Sequence, residues 1–145
     1  MTELGAVRGY ADFANRARDR AASAVGNAAS GRVAPIDHAH LGRYTLGNRD
    51  LELEVLDLFL GEIPQTMFKL KAAATAENFD PKAWFHACHT LKGSALAVGA
   101  VDVAKAAEQA EKLQVFTRDD LASHIAEIGR TVGGAAAYIE VWRKS

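Results

Sequence analysis

Little in this sequence would staple, interrupt or polarise a fold. Its 145 residues hold one cysteine, Cys88, which excludes an internal disulfide framework and fits a reducing, cytoplasmic setting. Prolines number three, so helices can run long without being broken. The formal net charge is -1, which leaves no basic footprint for nucleic acid. No apolar run approaches the roughly 18 residues of a membrane span. The first residues lack the charged start and apolar core of a secretory leader. No window alternates strictly enough for a strand, and no Gly-rich phosphate loop follows one, so a nucleotide-using kinase is disfavoured.

What the chain does have is apolar mass, 49% of its residues, enough for one domain with a real core and too much for a disordered chain. Residues 1–35 read differently from the rest. Arg8, Arg16, Arg18 and Arg20 mix with many alanines, and Gly26, Asn27, Ser30, Gly31 and Pro35 read as a linker. Val7, Phe13, Ala14, Ala17 and Ala21 make a narrow apolar stripe. A partly helical or disordered tail is the expectation, with an extra helix docked on the domain as the alternative. The folded domain is expected over 36–145.

Asp37 is the N-cap of a short helix over 38–44. Asn48 or Asp50 starts a long helix to about Glu77, whose apolar positions Val55, Leu56, Phe59, Ile63, Met67, Leu70 and Ala74 recur every three or four residues. Pro64 predicts a kink near Leu60-Gly61. Leu51, Leu58 and Phe68 fall off the stripe, either turned inward by the kink or left as docking surface. Asp80-Pro81 ends one helix and starts the next, which runs to about Val98. A fourth helix runs to about Val115 with Val103, Ala106, Ala107, Ala110 and Leu113 facing in. Thr117 caps the last, which carries Leu121, Ile125, Ile128, Val132, Ala136, Ile139 and Trp142 inward. Four long helices joined by short turns predict an all-α, antiparallel up-down four-helix bundle with a short N-terminal capping helix.

The helix over 81–98 holds the chemistry. On a wheel at about 100° per residue, Trp84, Ala87, Cys88, Leu91, Ala95 and Val98 share the core side. His89, Gly93 and His86 fall nearly opposite, with Lys92, Phe85 and Leu96 on one flank. His89, Lys92 and Gly93 stand at i, i+3 and i+4, one surface patch. A phosphoryl group carries nearly two negative charges near neutral pH, and an ammonium one turn from the imidazole stabilises it. Gly93 costs about 1 kcal/mol in a helix interior relative to alanine; an uncrowded imidazole offsets that cost. Ser94 offers a hydroxyl that bonds back to a helix carbonyl or stays near the site. Phe85 and Leu96, apolar on the outer face, suggest a partner surface with His86 on its rim. Cys88 reads as a small core residue.

His89-Thr90-Leu91-Lys92-Gly93-Ser94-Ala95, followed by Gly99-Ala100, closely resembles the motif of histidine-containing phosphotransfer (HPt) domains of bacterial two-component phosphorelays. The resemblance extends over the helix layout from Ile36 to about Trp142, with residues 1–35 outside it. Ala95 stands where many members have a second serine, a mild departure. The resemblance implies that His89 is the phosphorylated residue, that Lys92 helps hold the phosphoryl group and that Gly93 keeps the histidine accessible. It implies attack by Nε2 on an aspartyl phosphate of a response-regulator receiver domain, and onward transfer to a second receiver, downstream of a hybrid histidine kinase. The neutral imidazole is the nucleophile, so transfer weakens in acid as it protonates. No cofactor is expected on this chain, since the magnesium belongs to the receiver, and the carrier is expected to be a monomer without a nucleotide site.

Two rivals remain. A metal-binding bundle needs carboxylates beside its histidines; His86 and His89 point outward without an obvious acidic ligand, and His38 and His40 lie far back in the chain. A purely structural adaptor explains the bundle and leaves Lys92-Gly93 without a reason.

Overall fold

The computed structural model describes residues 34–145; the arginine-rich segment and most of the linker lie outside the described residues. Five helices and no strand occur among those described: α1 His38–Thr45, α2 Arg49–Thr75, α3 Pro81–Val98, α4 Val101–Glu111 and α5 Arg118–Lys144. Four starts are set by the caps the sequence predicts. Asp37 Oδ1 accepts from the His40 amide at 3.1 Å, Asn48 from Leu51 at 3.1 Å, Asp80 from Ala83 at 3.1 Å and Thr117 from Asp120 at 3.0 Å. Each such cap stabilises its helix by about 1 kcal/mol. Ile36, just ahead of α1, is fully buried in the core.

Neighbouring helices pack in sequence, α2 on α3, α3 on α4 and α4 on α5, and α5 returns to α2, which closes a ring; α1 lies against α2 and α3. Phe59, Trp84, Leu91, Ile128 and Ile139 fill the space between. The Trp84 indole N–H donates to the Ala110 carbonyl at 3.0 Å, a buried tie between α3 and α4. Without it the N–H would be stranded in the core at a cost of about 1–3 kcal/mol.

α2 is continuous helix through Pro64 to Thr75, with Leu51 and Phe68 exposed and Leu58 half-buried. α4 ends at Glu111 rather than near Val115, and Phe116 packs at a tilt against Phe79, ring centroids 4.6 Å apart, across the two loops at that end. Glu52 on α2 is buried, which an apolar stripe cannot reveal; it accepts from the Thr45 hydroxyl at 3.0 Å and so joins α1 to α2.

Gly99 ends α3 in the left-handed region, φ +78, and its carbonyl accepts from the Asp37 amide at 2.8 Å. A Cβ there would lie 2.8 Å from the Asp37 carbonyl oxygen. Gly99→Ala therefore meets both backbone strain and a clash with main chain, and is expected to cost about 2 kcal/mol or more, read as a lower urea midpoint.

Candidate functional site

The wheel of α3 holds for its inner face. Trp84, Ala87, Cys88, Leu91, Ala95 and Val98 are all buried. On the other face Phe85 is 50% exposed and His86 is exposed. The His89 side chain is also 50% exposed. The Phe85 and His89 rings lie nearly parallel, 10° apart with centroids at 5.8 Å, so Phe85 braces one side of the imidazole.

The second half of the helix departs from expectation. Gly93 is buried, not open, and Leu96 is half-buried against the core rather than standing on an outer face. α1 packs on α3 at this end, with His40 at the backbone of Leu96 and Ala97. The accessible face of α3 therefore narrows toward its C-terminus. Ser94 does not bond back to its own helix: its hydroxyl donates to Glu62 Oε2 on α2 at 3.1 Å. Burial raises the Glu62 pKa above the usual carboxylate value, and the Ser94 hydrogen bond only partly opposes that.

Glu111, the last residue of α4, is the residue that sequence reasoning missed. Its Oε1 lies 2.9 Å from His89 Nδ1 and its Oε2 lies 3.0 Å from Lys92 Nζ. The absence of an acidic group beside His89, expected from α3 alone, is thus corrected by packing. Burial pushes the Glu111 carboxyl up, but the hydrogen bonds from His89 and Lys92 and their charges outweigh it and hold its pKa below the usual value. A depressed pKa means that the stability Glu111 contributes is present above its unfolded-state pKa and is lost as pH falls through the folded one. The only hint in the sequence is position: Glu111 follows Ala110, on the flank of the inward stripe of α4.

This geometry settles which nitrogen is free. An ionised carboxylate only accepts hydrogen bonds, so Nδ1 must carry the hydrogen. In the neutral ring the lone pair then sits on Nε2. The result is an anchored imidazole, half in solvent, with a cation held one turn away by the same carboxylate.

Cys88, next to His89 in sequence, lies on the buried face of the helix. Burial, helped by the Glu111 charge, pushes its thiol pKa up to about 12. A thiol so raised is inert, and iodoacetamide at pH 8 is expected to leave the folded chain unlabelled and to label it in urea, read by intact mass.

The other histidines do not assemble a metal site. His38 Nε2 shares a hydrogen bond with the Tyr138 hydroxyl at 2.7 Å. Burial, ahead of its neighbours, lowers the His40 pKa. Among the described residues no group of three or more His, Cys, Asp or Glu could hold a metal ion, and no helix is long and apolar enough to cross a membrane.

The family model for the Hpt domain matches residues 54–137. The match runs from α2 into α5 and includes His89, Lys92, Gly93 and Glu111. No curated protein and no solved structure gives a significant match.

Proposed function

Since the chain belongs to the Hpt domain family, the phosphocarrier modules of two-component phosphorelays, we propose that His89 takes a phosphoryl group from the aspartate of one receiver domain and passes it to that of another. Hpt domains work with receiver domains and histidine kinases; for this chain the proposed donors and acceptors are receivers, with a hybrid histidine kinase upstream. We read residues 36–145 as the carrier domain, an antiparallel up-down bundle of α2 to α5 capped by α1, acting as a cytoplasmic monomer, with 1–35 as an appended segment.

In the forward step the Nε2 lone pair attacks phosphorus, the N–P bond forms and the acyl P–O bond breaks, releasing the receiver carboxylate. The hydrogen stays on Nδ1, so the phosphorylated ring is cationic, and Glu111 lies against that charge. Lys92 turns from Glu111 toward the incoming oxygens, where a charge-assisted hydrogen bond holds them. Such transfer depends mainly on positioning and charge stabilisation. The magnesium it needs is assigned to the receiver. Gly93 is assigned to keeping His89 accessible. Of the docking residues, Phe85 and His86 keep their role beside the imidazole, and Leu96 contributes at most an edge.

One observation carries the reading: His89 Nδ1 is anchored by Glu111 while the rest of the ring is open to a partner. The test is to mix the chain with a phosphorylated receiver domain and map the phosphate by mass spectrometry at neutral pH. Acid-labile label on His89 is expected; label on no histidine would end the proposal. Phe85→Asp is expected to weaken receiver binding about tenfold, as loss of an apolar anchor does, read by titration.

A further inference from the structure

The chain has five histidines, all among the described residues. Only at His89 does a carboxylate hold one ring nitrogen. Glu111 Oε1 lies 2.9 Å from its Nδ1, and Oε2 of the same group lies 3.0 Å from Lys92 Nζ. His38 Nε2 is engaged by the Tyr138 hydroxyl, and His40 faces the backbone of Leu96 and Ala97. His86, exposed on the same helix, and His124, half-buried on α5, have no ion pair among the described residues. We propose that the His89 site also takes a phosphoryl group directly from small phosphoramidates, compounds with a P–N bond, without a receiver and without a metal. The inference rests on reading His89 as the phosphorylated residue and goes beyond it in the donor.

The nucleophile is complete without a partner. Glu111 holds Nδ1–H and stabilises the positive charge that the ring gains as Nε2 bonds to phosphorus. Lys92 supplies a cation for the phosphoryl oxygens, the work assigned to magnesium when a receiver is the donor. The His89 side chain is 50% exposed, so a donor of a few atoms reaches it without displacing a helix. What the site lacks selects the class of donor. The polar groups set at the ring are a carboxylate that holds Nδ1 and an ammonium turned to the oxygens. Neither protonates a departing alkoxide, which puts phosphate esters out of reach. An acyl phosphate sheds a carboxylate, a second anion beside Glu111 with no metal to receive it. A phosphoramidate needs neither form of help, since the nitrogen of its zwitterion already carries its hydrogens. The Nε2 lone pair attacks phosphorus and the new N–P bond forms. The P–N bond of the donor breaks with its electron pair on the amine, which leaves as neutral ammonia. The hydrogen stays on Nδ1, so a neutral ring and a monoanionic donor become a phosphorylated ring with the same net charge. One N–P bond replaces another, and no further reactant enters.

The full chain is incubated with potassium phosphoramidate in EDTA at neutral pH, and the label is located by peptide mass spectrometry without an acid step. Phosphate on His89 is expected to form about tenfold faster than on His86 or His124 of the same molecule, the advantage of one hydrogen bond to a charged group. In urea, where Glu111 and Lys92 no longer stand beside the ring, that difference is expected to vanish. Equal rates at His86 and His89 in the folded chain overturn the proposal, and so does labelling of His89 that requires added magnesium. Glu111→Ala and Lys92→Ala, with folding verified by circular dichroism, are each expected to bring the His89 rate toward that of His86. A His89 advantage unchanged in both overturns the proposal as well. Acetyl phosphate under the same conditions is expected to label His89 more slowly; equal or faster labelling overturns the choice of donor. The receiver experiment is separate. Label from a receiver with none from phosphoramidate overturns this inference alone, whereas label on His89 from phosphoramidate with none from any receiver overturns the proposed relay alone.

Discussion

His89→Gln is expected to abolish phosphoryl acceptance from a charged receiver and to leave the helical circular dichroism unchanged. The loss is complete because an amide nitrogen has no lone pair to offer phosphorus, and no neighbouring group replaces the ring. Lys92 is paired with Glu111 at 3.0 Å. The fold survives because the His89 side chain is half exposed and contributes no core volume. Glutamine at the same place can still donate a hydrogen bond to Glu111, and substitutions at such sites change stability by about 0.5 kcal/mol or less. The measurement is a time course of labelled phosphate on the chain beside an unfolding curve. Normal labelling of this variant would remove His89 from the chemistry.

Glu111→Ala is expected to slow acceptance by about tenfold without preventing it. On the proposed mechanism the carboxylate does two things: it holds Nδ1–H, so that Nε2 keeps the lone pair, and it would face the cationic ring of the phosphorylated form. Hydrogen bonds to charged groups contribute about 1.5–3 kcal/mol, and each 1.36 kcal/mol is tenfold in rate. The lower end applies because the imidazole is half in solvent. Glu111→Gln separates the two effects. Its amide oxygen still accepts from Nδ1, so the nucleophile remains poised, but the charge is gone and Lys92 loses its ion pair. The Gln variant is therefore expected to accept faster than the Ala variant and to hold phosphohistidine for a shorter time than the parent. Rates equal to the parent in both variants would reduce Glu111 to a structural contact.

The helices were legible because their signals are local. Asp37, Asn48, Asp80 and Thr117 cap from within three residues, and the inner face of α3 follows from 3.6-residue periodicity. The parts that were not legible involve contact between distant segments. Leu96 looked exposed from α3 alone, yet it is half-buried, at the end of the helix where α1 packs. Ser94 looked local, yet its hydroxyl reaches Glu62 on α2. The fourth helix looked four residues longer, because nothing nearby in sequence marks the packing of Phe116 against Phe79 beyond its end.

The same division runs through the site. The placing of His89, Lys92 and Phe85 on one outward face was decided by the sequence alone, because residues three and four apart on a helix are neighbours whatever surrounds them. Which ring nitrogen is free, and what holds Lys92 before a phosphoryl group arrives, depends on Glu111, 22 residues further along the chain. Only the packing of α4 on α3 brings that carboxylate to within hydrogen-bonding distance. Periodicity shows which face of a helix is buried, but not which polar group a second helix sets at its edge.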